Sequence, residues 1–301
     1  MTKLRNLDLK LLQLFEGVYR QRNLSRVAEQ MGQTQPAVSL GLGRLRQHFA
    51  DPLFVRAGGT MEPTPVAEQL HELAANAIAQ LEALLAFQPA FDPRNDARTF
   101  RIAMTDVGQV VVLPRLLNTL ADIAPHIKVD VRQVSPDTAD QLQRGLLDMA
   151  LGSLPDLDGR FVQQPIFLET FSCLVRRGHP RIATNLSARQ YQEEQHVIVE
   201  TSGTGHFVIE RDLARKGIIR NVGVRIPHFI GLPAIVGSTN FVATLPSRAA
   251  HILAQGSTAR VLALPVKIPG YQVRQQWHER MQRDPGHIWI RHLMMTLFKN
   301  A

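Results

Sequence analysis

A single cysteine, Cys173, stands in this chain of 301 residues. That excludes an internal disulfide framework and any switch made from two thiols of one chain. Cys173 lies in an apolar strand-like run and reads as inert core. No stretch approaches the roughly 18 consecutive apolar residues of a membrane span. Met1 to Asp8 lack the apolar core of an export signal, so no membrane partner is expected and the cytoplasm is the expected address. Enzyme signatures are missing too: there is no Gly-x-Ser-x-Gly elbow, no P-loop and no metal-spaced His/Cys cluster. Ser202-Gly203-Thr204-Gly205 fails as a dinucleotide fingerprint, because Val208 holds the third glycine position. Neither catalysis, nor a metal, nor a cofactor is expected.

What is present is an ordinary globular composition, 45% hydrophobic and 20% charged, long enough for more than one domain. The formal charge of +8 is unevenly spread. Residues 1–60 carry Lys3, Arg5, Lys10, Arg20, Arg22, Arg26, Arg44, Arg46 and Arg56 against Asp8, Glu16, Glu29 and Asp51. A compact basic segment beside a near-neutral remainder suits phosphate binding, although charge alone would serve solubility equally well.

The motif decides between the two. Asp8 can cap a first helix carrying Leu11, Leu12, Phe15, Val18 and Tyr19 at helical spacing. Asn23 or Ser25 opens a second helix, which Gly32 stops with a tight turn. Thr34 caps a third, with Pro36 in its first turn, running to about Phe49. Val38, Leu42, Leu45 and Phe49 form its buried stripe, while Gln35, Pro36, Ser39, Arg44 and Arg46 lie on or beside the outward face. That face is small, polar and basic, as a helix entering the major groove requires. Gly41 and Gly43 serve either close backbone approach or helix packing. After Asp51-Pro52, Leu53 to Met61 reads as a short β-hairpin, a wing presenting Arg56. An arginine on a surface helix is usually only solvated; the ordered set argues for DNA. The candidate DNA contacts are Arg26, Gln33, Thr34, Gln35, Pro36, Ser39, Arg44, Arg46 and Arg56.

Ser25 to Ser39, then Arg44-Leu45 and Asp51-Pro52-Leu53-Phe54-Val55-Arg56, resemble the DNA-binding signature of LysR-type transcriptional regulators. Leu40-Gly41-Leu42-Gly43 departs from the bulkier residues usual there. Past Pro63-Thr64-Pro65, the residues Val66, Leu70, Leu73, Ala77, Leu81 and Leu84 form one apolar stripe on a long helix. Packing within the chain could bury it. The resemblance implies pairing with a second subunit, giving a dimer or tetramer. Phe91 to Asp96 is a hinge-like connector.

From Thr99 strands and helices alternate, which argues an α/β domain with parallel sheets. The resemblance implies two lobes of periplasmic-binding-protein type with a cleft between them. The expected division is a winged helix-turn-helix domain over 1–62, a linker helix over 63–92 and an effector domain over 93–301. Lobe one would take 97–167 and 268–301, and lobe two 168–267, with crossings near Pro165 and Pro265–Pro269.

Strand ends at such a cleft nominate Thr105, Asp106 and Ser153. The loop Thr201 to His206 offers Ser202, Thr204 and His206 just before a helix, where a carboxylate is well received; a plain turn with a cap is the competing reading. His228 and Arg248 stand at strand-to-helix junctions, and Arg248 could hold an acid group bidentately. Gly203-Thr204-Gly205-His206, Phe100 to Asp106 and Trp289 to Met294 resemble the subgroup responding to salicylate-like aromatic acids and flavonoids. Val111 and Val112 stand where aromatic residues pack the ligand ring in close relatives, which leaves a smaller, differently shaped or aliphatic ligand open. The resemblance thus implies promoter DNA, a small-molecule effector and RNA polymerase as partners. A transport binding protein and a non-specific DNA coater are the remaining rivals. The basic head counts against the first, the large C-terminal domain against the second.

Overall fold

The computed structural model describes residues 7–157, 159–200 and 207–299. It divides into two compact units, one up to Gln88 and one from Pro89 onward. In the first, helix α1 (Leu9–Gln21) starts where the Asp8 carboxylate accepts the Leu11 N–H at 2.8 Å. Helix α2 (Leu24–Gln30) is opened by Asn23, whose side-chain oxygen accepts from the N–H groups of Ser25 and Arg26. Gly32, at φ 63°, turns the chain into helix α3 (Gln35–Phe49). Val38, Leu42 and Leu45 of α3 pack with Leu14, Phe15, Val18 and Val27 into the head's core.

The two α3 glycines separate by surroundings. A Cβ added at Gly41 would stand 2.6 Å from Leu14 Cδ1, so Gly41 serves the close packing of α1 on α3. At Gly43 nothing lies within 4 Å, which leaves that exposed face shallow. Strands β1 (Phe54–Ala57) and β2 (Thr60–Pro63) pair antiparallel around Gly58-Gly59, both at positive φ as a tight hairpin requires. Helix α4 (Pro65–Leu85) follows, capped by the Thr64 hydroxyl. Ala67 and Ala74 bury one face of it in the head, while Leu73, Leu84 and Leu85 stay exposed.

The second unit holds two five-stranded sheets. Its elements are β3 (Arg98–Met104), α5 (Asp106–Ile123), β4 (Ile127–Arg132), α6 (Thr138–Arg144), β5 (Met149–Gly152), β6 (Val162–Glu169) and β7 (Phe171–Arg176). Then come α7 (Ala188–Glu193), β8 (Gln195–Val199), α8 (Phe207–Arg215), β9 (Asn221–Ile226), α9 (Leu232–Ser238), β10 (Val242–Pro246) and α10 (Ser247–Ala254). The chain ends with β11 (Ala259–Ala263), β12 (Tyr271–Trp277) and α11 (Pro285–Phe298). Strand order is β4-β3-β5-β12-β6 in one sheet and β11-β7-β10-β8-β9 in the other. Alternation sorts the cores: Phe100, Ile102 and Met104 face a layer shared with α5, α9, α10 and α11, while Ala103 faces a smaller cluster with Leu142. Cys173 is fully buried, and burial pushes its thiol up to about 12, which keeps it inert.

The expectation of parallel sheets needs correction. β12 runs antiparallel to β5 and β6, and β7 antiparallel to β10 and β11, so both sheets are mixed. The chain leaves the first sheet after Glu169, two residues past the expected boundary at 167. Pro165 sits inside β6 at a register shift opposite Val273/Arg274, on an edge strand, where a missing N–H is tolerated.

Candidate nucleic-acid interface and ligand cleft

On the head, Arg26, Gln33, Thr34, Gln35, Pro36, Ser39, Arg44 and Arg56 are all exposed. Gln33 to Ser39 form one surface across the turn and the start of α3, because Val38 alone in that run is drawn into the core. The Thr34 hydroxyl makes no capping bond to its own helix. Arg44 has no ion-pair partner among the described residues. Arg46 behaves differently: its Nε donates to the Pro52 carbonyl and an Nη to the Phe54 carbonyl, each at 2.7 Å. It therefore braces the base of the wing. Asp51 helps by accepting from the Leu53 N–H and the Thr64 hydroxyl, each at 2.7 Å. Leu53 can thus hold φ at 57° while fully buried. Sequence spacing placed Arg46 near the reading face but could not show where its guanidinium points.

In the second unit a largely apolar pocket opens at the start of α5. It is lined by Thr105, Val107, Gly108, Val111 and Val112, by Leu151 to Leu154, by Phe167 and Glu169 of β6, and by Tyr271 and Val273 of β12. Tyr271 faces Glu169 and Val273 faces Phe167 across the β6–β12 ladder. Two cross-strand pairs thus make one wall. Free space amounts to about 560 Å³ counting the open mouth. Burial, with the Glu169 charge beside it, pushes the Tyr271 phenol well above its ordinary range, so it stays protonated.

Of the expected cleft residues, Thr105 and Ser153 line this pocket. The Thr105 hydroxyl also accepts from the Gly108 N–H at 3.2 Å. Asp106 turns away, accepting the Phe229 N–H at 2.5 Å. Arg248 lies behind the pocket wall: it donates to the Leu168 carbonyl at 2.9 Å, stands 3.4 Å from Glu169 Oε1 and covers the Phe167 ring at 4.4 Å. Glu169 is only 2% exposed, so its charge is balanced chiefly by that guanidinium. His228 is exposed and caps nothing. Ser202, Thr204 and His206 lie outside the described residues. Sequence reasoning missed Phe167, Glu169, Tyr271 and Val273. Their i, i+2 spacing on two strands was the available signal.

Among known proteins, residues 9–68 match the bacterial regulatory helix-turn-helix proteins of the lysR family, and residues 93–297 match the LysR substrate binding domain. The chain is 38% identical over 299 residues to the HTH-type transcriptional activator NagR of a Ralstonia species, covering 99% of each chain. It is 38% identical over 297 residues to the HTH-type transcriptional activator NahR of Pseudomonas putida, covering 98% of this chain and 99% of that one. A crystal structure of a protein from Pseudomonas aeruginosa, described as a probable transcriptional regulator, superposes with a TM-score of 0.62 at 34% identity, covering 97% and 98% of the two chains.

Proposed function

This chain belongs to the LysR family of bacterial transcriptional regulators, and from that premise we propose how its parts work together. It is a DNA-binding regulator with an effector domain, and not an enzyme. The α3 face from Gln33 to Arg44, with Arg26 behind it and Arg56 on the wing, enters the major groove of promoter DNA in the cytoplasm. One head makes few contacts, so two heads on an inverted repeat are needed for tight, specific binding. The α4 stripe supplies the pairing. Leu73 and Leu84 are 66% and 69% exposed, an apolar face that a second copy's α4 covers, giving a dimer or a pair of dimers.

The effector is an aromatic carboxylic acid. The apolar pocket wall of Val107, Val111, Val112, Leu151 and Phe167 supports a ring, with Thr105, Ser153 and the loop carrying Ser202, Thr204 and His206 taking its polar atoms. Arg248 is the cation beside that wall. The observation that carries this reading is that apolar wall, whose Thr105–Val107 turn is tied to the other lobe by the Asp106–Phe229 bond. Binding therefore favours one lobe arrangement over another by differential affinity. Altered lobe packing re-aims the heads, changes the DNA bend and so changes RNA polymerase recruitment.

Thermal-shift screening of the purified full-length protein against aromatic and aliphatic acids tests the ligand class. Aromatic acids should raise the melting temperature in a saturable way, as any ligand of the folded state does. A set of aliphatic hits with no aromatic one would reverse the assignment.

A further inference from the structure

Among the described residues up to Gln88, Glu16 of α1 is the one charged side chain that is buried, at 8% exposure. Both its oxygens are engaged: Oε1 accepts from Arg20 Nε at 2.5 Å, and Oε2 lies 2.8 Å from Nδ1 of His71 on α4. The His71 ring lies flat on Tyr19, with centroids 3.8 Å apart and planes at 11°. Tyr19 in turn meets Phe54 of β1 edge-on at 6.5 Å and sits under the Arg22 guanidinium at 4.8 Å. The Arg22 carbonyl accepts the Met61 N–H of β2 at 2.9 Å, and its side chain pairs with Glu62 at 3.4 Å. One continuous set of directional contacts thus runs from α4 through α1 into both strands of the wing.

Ala67 and Ala74 flank His71 on the same helical face. Alanine contacts permit close approach but resist rotation little, because they have no directional groups. A carboxylate hydrogen bond combined with a stacked ring is directional in both respects. We propose that His71 is a positioning residue: through Glu16 and Tyr19 it fixes the rotation of α4 against α1 and the wing, and so sets the half-site spacing that two heads accept. This rests on the reading of α4 as the dimerisation helix.

The test uses the full chain, a duplex enriched from a randomised pool by the wild-type protein, versions with the spacer lengthened or shortened by a base pair, and a single half-site duplex. Wild type should prefer its own spacing by about tenfold, since heads joined through rigid helices accept one separation. His71→Ala should compress that preference to about threefold or less, with half-site affinity held within about threefold. His71→Asn, whose amide can donate to Glu16, should restore most of the preference. Glu16→Gln should compress it as His71→Ala does, and it decides the matter if His71→Ala does not fold. An unmoved spacing profile in a folded His71→Ala or Glu16→Gln protein overturns the assignment. So does a loss shared equally by half-site and spaced duplexes. Sedimentation on the spaced duplex separates the two ideas. A monomeric wild type brings down the dimer reading and the spacing proposal with it, whereas a dimeric wild type with an unmoved variant profile brings down the role of His71 alone.

Discussion

The carboxylate of Asp106, in the first turn of α5, accepts the backbone N–H of Phe229 at 2.5 Å. Asp106 belongs to the lobe of the first sheet. Phe229 follows β9 of the second. The acid stands at a helix N-terminus, where its charge is favoured, and its other oxygen is buried with no partner among the described residues. Because Thr105 and Val107 on either side of Asp106 line the pocket, this bond joins the pocket wall to the opposite lobe.

Replacing Asp106 with alanine should therefore loosen the lobe contact. A hydrogen bond to a charged acceptor contributes about 1.5–3 kcal/mol, and the unpartnered Oδ1 offsets part of that. The net loss in urea unfolding should be about 1 kcal/mol. Hydrogen exchange at the Phe229 amide should speed up more than at core strand amides. Unchanged exchange there would mean that the bond does not hold the lobes.

Arg44 and Arg46, two residues apart on α3, should part company on mutation. Arg44→Ala should leave the melting temperature alone and reduce the salt dependence of DNA binding by about one phosphate contact. Arg46→Ala removes two hydrogen bonds to wing carbonyls and should destabilise the head by about 1–2 kcal/mol. Its DNA binding should then fall through the wing, and added salt should reveal no lost phosphate contact. Equal salt slopes for Arg44→Ala and wild type would remove Arg44 from the interface.

Two buried histidines give the effector domain an acid-sensitive fold. Burial holds both His196 and His287 down at about 4. His287 Nε2 donates to the Asp148 carbonyl at 2.9 Å, and its Nδ1 accepts from Arg291 at 2.5 Å, which suits the neutral ring alone. The unfolded chain takes up these protons near its ordinary pKa of about 6.5, the folded chain only near 4. Stability should then be full above the higher value, fall as pH drops between the two, and level off below the lower. By pH 5 the loss is about 2 kcal/mol per histidine. Urea unfolding between pH 7.5 and 5, read by the fluorescence of Trp277, which lies beside His287, and Trp289, measures it. In His287→Gln the slope should shrink by about one proton, and an unaltered slope would acquit His287.

The head was readable from sequence because its signals are local. Asp8 and Asn23 cap the helices they precede, though Thr34 does not bond to its own, Gly58-Gly59 turns the wing, and Val38, Leu42 and Leu45 are buried as their spacing demands. Even there, spacing could not distinguish Gly41, packed on Leu14, from Gly43, facing open space. In the effector domain β6 and β12 escaped. Pro165 imitated a domain crossing, and pairing between strands so distant in sequence leaves no local trace. Phe167, Glu169, Tyr271 and Val273 on these strands make one wall of the pocket, so the site was visible only on its α5 and β5 side. Side-chain aim was equally hidden, for Asp106 and Arg46 both turn to backbone partners that residue type cannot disclose.

Arg248 is where the acid-binding idea meets its strictest constraint. Its guanidinium already faces Glu169, the Leu168 carbonyl and the Phe167 ring, so a ligand carboxylate must share it with an existing anion or displace that anion. Glu169 is nearly sealed from water, and without its cation its charge would be costly to keep. Arg248→Ala should therefore abolish the response to an aromatic acid, cost the fold about 1–3 kcal/mol and leave promoter binding without ligand intact. Adding Glu169→Gln to Arg248→Ala should recover most of the stability and none of the response. Calorimetric titration of both proteins with the thermal-shift hit distinguishes the two losses. If the double variant binds the acid as wild type does, the carboxylate is held elsewhere, and the loop from Thr201 to His206 becomes the place to look.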